Sequence, residues 1–320
     1  MITISETTEF HIDERTAVAI GKFDGIHLGH KALLDKLLMK KEEGLKTVVF
    51  SFYPSPSVLF TGKEEALICT RSEKKDAMER AGIDYYVEFP FDKKTASTDP
   101  KEFIKKYLIE SLNAAYIVAG SDVSFGKGGK GNADLLRTES ERFGYELLII
   151  DKIRYKTGEE ISSTLVRNMI IAGKMNETYE LMGEYYRVSG IVNEGKKLGR
   201  TLDMPTANIY PPEGKLLPEN GVYFTISSIE GDKHEYPGVT NVGVRPSIND
   251  GNRKTIETHL LDFDEIKNGE LYGRKMTVMF VEHLRKEVKF RSTDELKETV
   301  KTNIKEARKF FLNFKENENG

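Results

Sequence analysis

From residue 16 to about 182, short apolar runs alternate with longer stretches whose apolar residues recur at helical spacing. This is the pattern of βα units around a parallel sheet. The runs at 17–20, 47–52, 85–89, 116–119 and 146–150 read as strands. Between them, Leu33, Leu34, Leu37 and Leu38 form one helix face, and Phe103, Ile104, Tyr107, Leu108 and Leu112 form another. Both stripes are expected in the core. Pro100, just after Asp99, marks a helix start, where its missing N–H costs nothing. After 183–186 the helical period stops, and segments rich in Val, Ile, Tyr and Thr are punctuated by Pro211-Pro212, Pro218, Asn220-Gly221 and Asp250-Gly251. Strands are expected at 186–192, 222–228, 238–242, 255–261 and 275–282, enough to close a small barrel and remove exposed edges. A last helix begins near 292–295. Its stripe of Leu296, Val300, Ile304, Ala307 and Phe310 would lie on the barrel, with the polar tail after Phe314 frayed. The expected fold is α/β: an N-terminal doubly wound parallel-sheet domain over 1–182, then a C-terminal antiparallel β-barrel domain with a terminal helix over 183–320.

Length agrees with two domains, since 320 residues is about twice the usual domain size. Charge narrows the partners. Forty-eight Lys plus Arg against fifty-one Asp plus Glu leave −3, which supplies no overall field for a polyanion, so no nucleic-acid partner is expected. The single cysteine, Cys69, makes neither an intrachain disulfide nor a zinc cage. No charged start followed by an apolar core opens the sequence, and a cytoplasmic protein is expected. Apolar runs such as 147–150 fall far short of the roughly 20 residues a membrane-spanning helix requires, so no membrane partner is expected either.

Residues 21–30 read G-K-F-D-G-I-H-L-G-H and join the first of these strands to the first helix. Ligands of open α/β sheets bind beyond the carboxyl ends of strands, and a helix start offers unpaired N–H groups to phosphate. His27 and His30, three apart, would point the same way as two imidazole donors. A metal pair or two surface histidines are the alternatives. Phosphate is favoured over metal, because His11, His234, His259 and His283 form no local ligand motif with the pair. Residues 161–167, I-S-S-T-L-V-R, open another helix with three hydroxyls suited to capping, and Arg167 adds a charged fork one turn in. Residues 126–131 satisfy G-x-G-x-x-G, with Asp151 further on. However, six residues separate that motif from its strand, so a mobile substrate loop is expected rather than a dinucleotide fingerprint, with an inert surface loop as the alternative.

In the second half, residues 199–208 read G-R-T-L-D-M-P-T-A-N. Oxygen ligands suit magnesium, which keeps several waters and takes few protein ligands, so Thr206 and Asn208 are candidates; an ordinary turn is the alternative. The alternation over 255–260 puts Glu257 and His259 on one face and Ile256, Thr258 and Leu260 on the other. Facing a site, Glu257 would accept a proton from a substrate hydroxyl.

The motifs at 21–30, 118–131 and 161–167 resemble the adenylyltransferase half of the bacterial bifunctional riboflavin kinase/FAD synthetases. G-R-x-L-x-x-P-T-A-N at 199–208, G-V-Y at 221–223, N-V-G-V-R-P-S at 241–247, Glu257 with His259, and L-Y-G at 271–273 resemble the kinase module in the same order. The resemblance implies a nucleotidyltransferase domain and a flavokinase barrel that make FMN from riboflavin and ATP, then FAD from FMN and ATP, with Mg2+. It implies catalytic roles for His27, His30, Arg167 and Glu257, and substrate contacts at Gly21, Phe23, Asp24, Gly25, Asp122, Phe125, Gly126, Ser163, Thr164, Gly199, Arg200 and Pro205. It also implies that Thr206 and Asn208 hold Mg-ATP. Two positions depart from the family pattern: Ser55 replaces a histidine in the F-x-P-H-P motif, and Asp203 stands where glycine is common. The alternatives are a nucleotidyltransferase for another phosphorylated small molecule, a flavin-binding regulatory protein and, more remotely, an NAD oxidoreductase.

Overall fold

The computed structural model describes residues 1–62, 65–194, 204–247, 251–264 and 269–318. The chain divides into two compact units, Met1–Val166 and Arg167–Gly320. The division falls inside a helix.

In the first unit, six strands form one parallel sheet: β1 (Ile2–Ser5), β2 (Thr16–Ile20), β3 (Lys46–Tyr53), β4 (Tyr85–Pro90), β5 (Ala114–Gly120) and β6 (Glu146–Ile150). Their order is β1-β4-β3-β2-β5-β6, and every pairing is parallel. The five expected strands are all present. The edge strand β1 is additional: four residues without a recognisable run. The helices are α1 (Leu28–Glu42), α2 (Pro56–Thr61), α3 (Arg71–Arg80), α4 (Pro100–Phe103), which continues as π-helical turns over Ile104–Ser111, and α5 (Ala133–Phe143). Strand residues alternate between two cores. Val18, Ile20, Val48, Phe50 and Ile117 pack on Phe103, Ile104, Tyr107, Leu108, Leu112 and Leu136. Ala17, Ala19, Val49, Tyr86 and Val118 pack on Leu33, Leu34, Leu37 and Met78. Both faces are thus covered, which is why the strands read as continuous apolar runs rather than alternating ones. Asp99 caps α4 as its side chain accepts from the N–H of Lys101 and Glu102, ahead of Pro100 at the first helical position.

Helix α6 (Ser163–Ile171) crosses the division, and α7 (Met175–Met182) follows. The second unit then builds a closed barrel from β7 (Tyr186–Asn193), β8 (Ala207–Ile209), β9 (Gly221–Ile229), β10 (Glu235–Ser247), β11 (Gly251–Leu260) and β12 (Lys275–Lys286), ordered β10-β11-β8-β7-β12-β9. All its pairings are antiparallel. β8 is the one strand of the barrel that the sequence pattern did not mark; at three residues it is too short to show a period. A buried row of hydroxyls links Thr225, Thr240 and Thr258 at 2.7 and 2.8 Å. Helix α8 (Thr293–Glu318) lays Ala307 and Phe311 on Val222, Phe224, Val239, Leu261 and Val281, with Ile304, Phe310 and Phe314 beside them. The helix continues past Phe314 to Glu318, where fraying was expected.

Candidate active sites

Strand β2 lies between β3 and β5, the point where the chain, having built the sheet outward through β3 and β4, returns to build the other side. Such a reversal opens a crevice at the carboxyl ends of the strands. The 21–30 loop leaves β2 there. Its backbone is tightly wound, with positive φ at Phe23 (49°), Gly25 (83°) and Ile26 (25°). A side chain at Gly25 would meet Ile68 at 2.7 Å, so both its backbone conformation and its surroundings select glycine. Asp24 ties the loop down: its Oδ1 accepts from the N–H of Ile68 (3.1 Å) and Cys69 (3.3 Å), and its carbonyl accepts from Ser163 Oγ (2.7 Å).

The loop delivers His27 to the N-cap of α1 and His30 to its first turn. Their rings stack at 3.9 Å with 20° between planes, and Phe23 lies 4.9 Å from His30. A side chain at Gly29 would crowd the His27 ring at 3.1 Å, so the glycine leaves room for that ring over the helix start. His27 is 7% exposed. Nδ1 of each imidazole is buried and unpartnered among the described residues. Burial lowers His27 from its ordinary value to about 4, opposed in part by the Asp122 carboxylate. His30 lies well below the usual histidine range, through burial first and then the nearby charges of His27 and Lys74. Both rings are therefore neutral at pH 7, each with one N–H and one lone pair.

A cavity of about 370 Å³ opens over this pair. Of the residues expected at a site, Gly21, His27, His30, Asp122, Ser163 and Thr164 line it. Ends of four strands contribute: Ile20, Phe52, Gly120 and Ile150. Phe23, Asp24 and Gly25 instead shape the loop from behind, Phe23 being fully buried. Phe125 and Gly126 are not lining residues. The Phe125 ring is in the core 5.2 Å from Phe103, and Gly126 (φ 66°) sits where a side chain would strike Pro100 at 2.8 Å. The 126–131 glycines answer to backbone geometry: Gly128 and Gly129 also have positive φ, and an antiparallel bridge joins Phe125 to Gly131. The Lys127 N–H donates to the Thr98 carbonyl at 2.7 Å. The segment is thus a pinned turn where a mobile loop was expected. Arg167 lies one turn beyond Ser163 on α6 and is counted with the second unit. Ser55 is the N-cap of α2, its Oγ 3.0 Å from Ser57 Oγ, with Pro56 beside it on the cavity wall. Sequence reasoning missed Lys22 and Lys152, which also line the cavity. Lys152 pairs with Asp122 at 3.4 Å and Glu160 at 2.9 Å. Its place two residues beyond the 146–150 run was the available signal.

In the barrel, Pro205 and Thr206 line a small cavity of about 50 Å³ with Val192, Thr258, Leu271 and Tyr272. Asn208 is buried on β8 directly across from Glu257 on β11, and Glu257 is paired on its other side with Asn241. As expected from the alternation, Ile256, Thr258 and Leu260 are buried, while Glu257 and His259 are half-buried on the opposite face. His259 Nδ1 donates to the Pro205 carbonyl at 2.9 Å, and Asn208 Nδ2 to the Thr206 carbonyl at 3.3 Å, which ties the 205–208 stretch to itself and to β11. Gly199, Arg200 and Asp203 lie outside the described residues. Among the described residues no group of three or more His, Cys, Asp or Glu could hold a metal. A hydroxyl, an amide oxygen and one carboxylate fit magnesium, which takes oxygen and few protein ligands.

The sequence matches the family described as FAD synthetase over residues 9–165 and that described as riboflavin kinase over 182–311. It is 32% identical over 309 residues to the bifunctional riboflavin kinase/FMN adenylyltransferase of Listeria monocytogenes, covering 95% of each chain. To the protein of the same name from Escherichia coli K12 it is 35% identical over 303 residues, covering 93% of each. A crystal structure described as a macrolide-efflux protein from Streptococcus pneumoniae superposes with a TM-score of 0.84 at 28% identity, covering 96% of this chain and 98% of that one. The chain belongs to the bifunctional riboflavin kinase/FMN adenylyltransferase family.

Proposed function

We propose that the two activities of the family are divided along the chain, with FMN adenylylation at the 21–30 loop and riboflavin phosphorylation at the 205–208 and β11 segment. The enzyme phosphorylates riboflavin to FMN with ATP, then adenylylates FMN to FAD with a second ATP, releasing pyrophosphate. The observation that carries the first assignment is the stacked imidazole pair, its Nδ1 atoms unpartnered among the described residues, at the crevice where the strand order reverses. The start of α1 offers backbone N–H groups and partial positive charge to a triphosphate, and the neutral imidazoles offer donors. The FMN phosphate attacks the α-phosphorus in line. His27, His30 and Arg167 stabilise the charge that grows on the phosphate oxygens, with no covalent enzyme intermediate. Gly21, Ser163, Thr164 and Asp122 border the same space.

In the barrel, Glu257 accepts the proton of the ribityl 5′-hydroxyl while that oxygen attacks the γ-phosphorus of ATP, the bond to the β–γ bridging oxygen breaks and ADP leaves. Phosphoryl transfer has a loose transition state, so holding the hydroxyl in line matters more than basicity. Thr206 and Asn208 would hold magnesium, which when bound neutralises charge on the phosphates. We assign functional domains of 1–182 and 183–320, small-molecule substrates without nucleic-acid or membrane partners, and a cytoplasmic location. No described helix is long and apolar enough to cross a membrane.

Selective mutation tests the division. His27→Ala should lower FMN adenylylation by about 10²–10³ in kcat, the loss typical of one transition-state donor, and leave riboflavin phosphorylation unchanged. Glu257→Gln should abolish FMN formation and leave FMN-to-FAD conversion. Chromatographic separation of the flavins over time reads both steps, and equal loss of both in either variant would refute the assignment.

A further inference from the structure

The 21–30 loop is held from below by a lysine that no sequence motif marks. Helix α3 starts with a reciprocal capping box, Thr70 with Glu73, which fixes the register of its first turn. Lys74 follows in that turn, and its Nζ donates to the Lys22 carbonyl at 2.9 Å. Ser51 Oγ donates to the same carbonyl at 3.1 Å, so both lone pairs of that oxygen are used at the point where the loop begins its positive-φ path.

The ammonium is in an unusual position for a lysine. Burial pushes it below its ordinary range, opposed by Asp24, Cys69 and Glu88. The two carboxylates are already engaged: Glu88 by Arg71 Nε at 2.6 Å, and Asp24 by the Ile68 and Cys69 N–H groups. Among the described residues, the hydrogen bond from Lys74 goes to a neutral carbonyl. A half-buried cation bonded to a neutral partner keeps part of its local field. His30 meets that field from α3, the His27 ring from its own helix and the Phe23 ring from the loop, while Asp122 faces His27 from beyond β5.

We propose that Lys74 is a positioning residue for adenylyl transfer, its ammonium pinning the Lys22 carbonyl and standing as the fixed positive charge behind the His27–His30 pair. The histidines then act as neutral donors to the phosphates, and the lysine supplies attraction for the triphosphate without touching it. This rests on the loop being the triphosphate site; if His27→Ala leaves FMN adenylylation intact, that reading fails whatever Lys74 does.

The test is steady-state FMN adenylylation by the full chain carrying Lys74→Met or Lys74→Arg. In Lys74→Met the KM for ATP should rise about tenfold, because the fixed charge behind the histidine pair is gone. Lys74→Arg should stay within about twofold of the parent, since it keeps the charge. Riboflavin phosphorylation in the same samples should not change. Lys74→Gln replaces the methionine variant if that one does not fold. An unchanged KM in the neutral variants, or a loss of equal size in the arginine variant, would overturn the proposal.

Discussion

His27 carries a cost to stability at low pH. An imidazole lowered to about 4 in the folded chain remains ordinary, near 6.5, in the unfolded one. As pH falls below 6.5 the unfolded state binds the proton first, so stability is full above that value and is lost on the way down toward about 4. One such group contributes a slope of about 1.4 kcal/mol per pH unit within that window. Chemical denaturation between about pH 7 and pH 5 should show this slope in the parent chain and a reduced one in His27→Gln. ATP should lessen it, because phosphate oxygens near the rings favour the protonated form. A slope unchanged by the substitution would mean that the ring is not held neutral by burial.

At the scale of elements, α3 is short and polar, with Met78 its one buried side chain among the described residues, yet it carries Arg71 and Lys74. Its order therefore depends on the Thr70 cap. Thr70→Ala should cost about 0.5–2 kcal/mol in a denaturation experiment, and FMN adenylylation should weaken while the kinase step does not. The same elements show why some of the protein was legible and some was not. The runs at 47–52 and 116–119 became β3 and β5 because both sheet faces are buried, which leaves a continuous apolar signature. The loop after β2 was legible because glycine and histidine at a strand-to-helix turn have few other uses. By contrast β1 and β8 are too short for a period to register. Lys152 and Lys74 reach the site region from β6 and α3, so their roles depend on strand order and not on their neighbours in sequence. The resemblance implied a substrate contact for Phe125, whereas its ring packs on Phe103 in the core.

For the molecule as a whole, the division between units at Val166/Arg167 falls within α6, whereas the family matches end at 165 and resume at 182. Ser163 and Thr164 at the start of that helix border the cavity, and Ser163 also holds the Asp24 carbonyl. A fragment ending at residue 166 would keep four residues of α6, a single turn that nucleation cost makes unstable. The Ser163 hydroxyl would then lose its support, and the tightly wound 21–30 loop one of its ties. A fragment over 1–182 keeps the whole of α6 and α7, including Arg167. Assayed side by side with FMN and ATP, the 1–182 fragment should form FAD and the 1–166 fragment should form little, about tenfold less or lower if the lost tie is worth one good hydrogen bond. Equal activity in the two fragments would place the catalytic boundary at the compact-unit division and remove Arg167 from adenylyl transfer.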